Sequence, residues 1–153
     1  MKNLASNIVK AGLIVGSLDI IAACIQFYSK TQKNPIVVLN FIASGVFGKD
    51  AFTGGAKMAA FGLFFHYLIA FGFTLLFFIL YPKIKPFIKS KLLLGTVYGL
   101  FIWLTMQFLI VPLSQAPAMK ISFQSATIAI FILIVCIGIP LALLAKNGDK
   151  ENI

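Results

Sequence analysis

Residues 8–28 read IVKAGLIVGSLDIIAACIQFY, an apolar run whose charged residues are Lys10 near its start and Asp19 near its middle. At ~1.5 Å per residue such a run crosses the ~30 Å hydrocarbon core of a bilayer as a helix. Lys30 and Lys33 close it. A carboxylate at that depth costs on the order of 3 kcal/mol unless it is partnered or hydrated, which marks Asp19 as a candidate functional residue. Ile21-Ala22-Ala23-Cys24 has the look of a lipoprotein cleavage box. Asp19 interrupts the apolar region such a signal needs, however, and the residues after Cys24 stay hydrophobic, so the run is read as a retained span.

The rest of the chain supports that class. Of its 153 residues 60% are hydrophobic and 11% charged, with a mean hydropathy of +1.00, far from the composition of soluble domains. A second span is expected from about residue 57 to 81, ended by Pro82, a third from about 92 to 111 before Pro112, and a fourth from about 121 to 145 with a kink at Pro140. The expected fold is therefore an all-α membrane protein, four transmembrane helices in one bundle forming a single domain. The connection after the first span is long and holds an apolar segment, residues 36–47, too short to cross. With Gly45, Gly48, Gly54 and Gly55 around it, this segment is expected as a short interfacial or re-entrant helix.

Every basic residue is a lysine, and the formal charge of +9 gathers at span ends, which indicates topology and anionic lipid headgroups, not nucleic acid. The termini and the connection between spans two and three carry Lys2, Lys10, Lys83, Lys85, Lys89, Lys91, Lys146 and Lys150. The opposite side carries Lys30, Lys33, Lys49, Lys57 and Lys120. The positive-inside rule then places the termini in the cytoplasm of a multi-pass protein of the bacterial inner membrane. The tail from Lys146 onward is expected to be short and solvated.

Helical spacing sorts the polar residues. Gly12, Gly16, Asp19 and Ala23 recur at steps of four, three and four, and Gly55, Ala59, Gly62, His66 and Ala70 repeat the pattern in span two. Two small-residue faces predict a tight helix pair. Asp19 lies nine residues before Tyr28 and His66, the chain's one histidine, eight after Met58, so an antiparallel pair brings them level and permits a buried contact. Gln107 and Trp103 share a face of span three, and Ser114 follows Pro112, so Asp19, His66 and Gln107 form the candidate polar site, with Ser44, Trp103 and Ser114 as its vestibule. Interhelical hydrogen bonding accounts for Gln107 equally well. Cys24 and Cys136 read as small packing residues, and neither a disulfide, a metal site nor any cofactor is expected.

The segment Ile42-Ala43-Ser44-Gly45-Val46-Phe47-Gly48, then Ala51-Phe52-Thr53-Gly54-Gly55, then Gly62-Leu63-Phe64-Phe65-His66, resembles a family of small uncharacterised four-helix bacterial inner-membrane proteins. There an IASG-x-x-G-x-x-A-F-x-G-G segment precedes a helix bearing a single histidine. The resemblance extends to Gly16, Asp19 and Pro112-Leu113-Ser114, and departs at Gln107, where the family has asparagine after methionine. It implies the fold and the site, and no activity.

Enzyme signatures are missing: the sequence holds no HExxH, GxSxG, phosphate-binding glycine loop or acidic cluster, and one histidine cannot form a bis-histidine heme site, which leaves an intramembrane enzyme using Asp19 and His66 as a base pair as the one catalytic alternative. Two expectations remain. One is a small, oligomeric transporter or channel-like protein whose Asp19 and His66 bind a proton, cation or polar solute. The other is an accessory or structural membrane protein in which the same pair is a packing clasp and the 36–55 connection engages a membrane-protein partner.

Overall fold

The computed structural model of the chain describes residues 2–118 and 122–149. Its helices are α1 (Lys2–Thr31), α2 (Ile36–Phe47), α3 (Gly55–Ile84), α4 (Lys91–Leu113) and α5 (Phe123–Ala145, continuing to Asp149). No strand occurs among the described residues. α1, α3, α4 and α5 are long and apolar enough to span a membrane, and the fold is an all-α membrane bundle. Ile25, Phe64, Leu68 and Phe108 are each more than half exposed on its flanks. An apolar belt of that extent is a liability in water and an ordinary surface against lipid chains.

Prolines do not stop these helices where the sequence suggests. Pro82 lies inside α3, and the ladder resumes beyond it with Lys85 N–H donating to the Tyr81 carbonyl at 2.9 Å. A proline near a helix end forfeits one backbone bond and leaves the final turn intact. α4 likewise continues through Pro112 to Leu113. Both α4 and α5 contain a widened π-helical turn, Met106–Ile110 and Ile134–Gly138, each ending two residues before a proline, Pro112 or Pro140. The proline ring displaces the carbonyl four residues back, here Phe108 and Cys136, and both lie at the centre of a widened turn that makes room for the ring. The kink expected at Pro140 is thus absorbed one turn earlier. α5 begins at Phe123, where the Ser122 hydroxyl caps the helix by accepting from Ser125 N–H at 3.1 Å. Lys120, Ile121 and the tail residues Lys150 and Glu151 lie outside the described residues.

The tightest core occupies the half of the bundle that holds the termini. Ala11 and Val15 of α1, Phe73, Phe77 and Tyr81 of α3, Leu94, Tyr98 and Ile102 of α4, and Ile137, Leu141, Ala142 and Ala145 of α5 form one buried cluster. Tyr98 donates to the Phe73 carbonyl at 2.6 Å, and its ring meets Phe77 edge-on at 4.8 Å. α4 and α5 close up through glycine: a Cβ at Gly95 would stand 2.8 Å from the Gly138 backbone. Without side chains at these positions the two backbones touch, which gains dispersion energy that lipid tails do not supply.

α2 packs against α3 at the other end. A Cβ at Gly62 would overlap the Leu39 carbonyl, so α2 rests directly on the α3 backbone about 10 Å along from Gly55, by helical rise. Asn40, Ala43 and Ser44 are buried in that contact. α2 therefore lies alongside the first turns of α3, not beyond its end. The chain reverses between them through a 3-10 turn, Gly48–Phe52, using positive φ at Gly48 and Gly55.

Candidate functional site

His66 projects from α3 onto the glycine face of α1. Its Nε2 lies 2.8 Å from the Gly16 carbonyl oxygen, and since a carbonyl only accepts, Nε2 carries the proton and donates. The bond is possible because Gly16 has no side chain; a Cβ there would stand 3.0 Å from the Tyr67 ring. One residue along on each helix, the Ser17 and Tyr67 hydroxyls are 2.6 Å apart. Two adjacent polar links therefore join α1 to α3.

Asp19 is one turn further along α1 from the residue His66 grips. Its carboxylate is close enough to the His66 imidazole for an electrostatic interaction, and it also influences the Cys136 thiol of α5. No described residue hydrogen-bonds it. The carboxylate belongs instead to the wall of a cavity of about 270 Å³ bounded by His66, Phe73, Ile102, Gln107 and Ile137. The sequence-expected pair thus lines one cavity, with the histidine's hydrogen bond made to backbone and the carboxylate left facing the space. Gln107 and Ile137 come from the two π-helical turns, so both proline-widened segments border the cavity. Such turns recur at functional sites because the extra residue redirects side chains.

A second cavity of about 690 Å³ lies toward the Lys30 end, between α1, α2, α4 and α5. The two adjoin, with Ala23, Gln26, Val38, Trp103, Gln107 and Ala129 bordering both, so that together they line a cleft from the Lys30 level to the Asp19 level with these side chains at its waist. At the junction stand Gln26 and Gln107, whose amides bond no described residue, and Trp103, whose Nε1–H is buried without an acceptor. Leaving such a donor unpaired costs about 1–3 kcal/mol; Asn40 Oδ1, in the α2–α3 contact, is likewise buried without a partner. At the mouth Lys30 Nζ donates to Ser125 Oγ at 2.9 Å.

Of the residues expected to form a vestibule, Trp103 lines both cavities. Ser44 is buried and donates to the Phe41 carbonyl at 2.6 Å, and Ser114 donates to the Val111 carbonyl at 2.7 Å while accepting from Ala116 N–H. Neither serine borders the cleft; both stand where α2 meets the end of α4, beside the 2.9 Å bond from Gln115 N–H to the Gly45 carbonyl. Sequence reasoning missed Gln26, Lys30 and Ser125. The signal was present, because Asp19, Ala23, Gln26 and Lys30 continue the Gly12 stripe at steps of four, three and four.

Among the described residues no cluster of three or more histidines, cysteines or acidic side chains is placed to hold a metal ion. Comparisons of the chain with protein-family models, with curated proteins and with solved structures find no match.

Proposed function

We propose that the protein is a small solute- or ion-handling membrane protein, a transporter or channel-like bundle in which Asp19 takes up and releases a proton or cation. The observation that carries this reading is an Asp19 carboxylate without a hydrogen-bond partner among the described residues, lining a cavity that adjoins a larger one bordered by Lys30. A carboxylate kept only for packing would be expected to bond to a donor, because its desolvation is costly. Titratable neighbours within electrostatic reach of it are His66 from α3 and Cys136 from α5, and Gln107 from α4 shares its cavity wall. His66 fixes α1 against α3 through Gly16 and borders the same cavity as Asp19.

The lysine distribution supports placing the termini in the cytoplasm of a bacterial inner membrane, with Lys83, Lys85, Lys89 and Lys91 against anionic headgroups. The cleft then opens away from the cytoplasm, and the Phe77 and Tyr98 cluster is the closed inner gate. Assembly of several copies fits a bundle too small to enclose a wide path.

In vesicles holding the purified protein and a pH gradient, proton flux is expected to fall to background in Asp19→Asn while the variant stays folded. Flux equal to that of the unaltered protein sinks the proposal. A second reading, an accessory protein clasped by polar contacts, is favoured by one observation, the His66 to Gly16 bond. It expects no flux from any variant and a stoichiometric membrane-protein partner on native purification.

A further inference from the structure

The outer cavity has a chemistry of its own. Among the described residues Lys30 is the one charged residue in its wall, which otherwise presents Gln26, Gln107, Trp103 and Ser125 set among Val37, Phe41, Phe52 and Ala129. No described lining residue is acidic. Lys30 gives one N–H to Ser125 and keeps two for another acceptor. Ser125 Oγ already accepts from Lys30 and from the Ser122 hydroxyl at 2.9 Å, so its own proton is left to donate. The Gln26 and Gln107 amides add further N–H donors, whereas the Trp103 indole N–H is buried away from the space and only its ring borders it. The wall is thus rich in donors, cationic at the mouth and apolar along α2, with a volume of about 690 Å³ inside the usual range for small-molecule sites.

We infer that this cavity binds an organic anion with an apolar body, its charged head held by Lys30 and Ser125 and its body lying past Phe41 and Phe52 toward Trp103. Charge-assisted bonds from the ammonium and hydroxyl fix the head, and burial of the body drives insertion. An organic cation meets repulsion at Lys30 and no carboxylate before Asp19. The inference deepens the reading of the cleft as a solute path and rests on it. Together they describe an anion site in series with a protonatable group, the arrangement that carries an anion and a proton inward without net charge.

Binding can be measured without flux, which separates the two proposals. Trp103 is the chain's one tryptophan and lines the site, so its fluorescence reports occupancy directly. In phosphatidylcholine vesicles, octanoate is expected to change that fluorescence saturably, with matching uptake of radiolabelled octanoate in equilibrium dialysis. Octanol and octylamine, which share the chain and lack the anionic head, are expected to bind about tenfold more weakly or not at all. Lys30→Gln weakens octanoate binding about tenfold, Lys30→Arg retains it, and Lys33→Gln, outside the cavity, leaves it unchanged. If phosphatidylglycerol added to the vesicles competes with octanoate, a lipid headgroup is the natural source of the anion; if it does not, the source is a free organic acid. Equal responses to octanol and octanoate, wild-type binding in Lys30→Gln, or no saturable binding by either measure would overturn the inference. Asp19→Asn is expected to lose flux and keep octanoate binding, so failure of the proton path is seen separately.

Discussion

Asp19 and His66 divide a job that the sequence assigns to them jointly. His66 donates to the Gly16 carbonyl across the helix pair, whereas Asp19 bonds no described residue and faces the cavity. Their stability effects should therefore differ. His66→Ala removes a buried interhelical hydrogen bond and is expected to cost about 1–2 kcal/mol, seen as a lower Tm in detergent. Asp19→Asn removes no hydrogen bond and relieves a desolvated charge, so its Tm is expected to match or exceed that of the unaltered protein. Equal losses in both variants would mean that the carboxylate, too, is a clasp. Trp103→Phe should likewise be nearly neutral in stability, since the indole N–H it deletes has no acceptor.

At the scale of elements, close backbone approach and proline-widened turns shape the cleft. The carbonyl of Leu39 sits where a side chain at Gly62 would begin, and a backbone atom cannot rotate away. Gly62→Ala is expected to cost about 2 kcal/mol by forcing α2 off α3. On the same helix Gly72 has nothing within 4 Å of the added methyl, so Gly72→Ala should be neutral or stabilising by up to about 1 kcal/mol. Thermal melts of the pair measure the contact, and similar values would show that α2 is not seated there. Pro140→Ala restores an N–H for the Cys136 carbonyl, favouring ordinary helix over the widened turn. It is expected to raise the Tm of the bundle while lowering flux, because Ile137 shifts in the wall beside Asp19. Unchanged flux in a stabilised variant would disconnect the turn from the cavity.

For the whole molecule, spans were legible because they depend on local periodicity, and residues 36–47 form the short helix expected; of the two small-residue stripes, His66 and Ala70 meet α1 at Gly16, whereas Gly62 receives α2 at Leu39. Less legible was anything requiring the relative slide of two helices. Matched depths put His66 opposite Asp19, yet packing at glycine set the register one turn away, at Gly16. Ser44 and Ser114 looked like a vestibule by proximity to Gln107 in depth, but sequence does not reveal that their hydroxyls close helix ends. The asymmetry between a packed half and a hollow half is likewise a property of the assembled bundle, and it yields a directional expectation. In a background with Cys24→Ala and Cys136→Ala, a cysteine at Ala129 borders both cavities, whereas one at Ala142 lies in the sealed core with no measurable exposure. A membrane-impermeant thiol reagent added on the Lys30 side should label the first rapidly and the second hardly at all; added on the side of the termini it should label neither. Rapid labelling at Ala142 would mean that Phe77 and Tyr98 do not close the bundle, and no labelling at Ala129 would mean that the cleft does not open past Lys30. Labelling of Ala129 from the termini side only in vesicles carrying a pH gradient is the pattern of alternating access, and it requires the Tyr98 to Phe73 bond to break as the inner half opens.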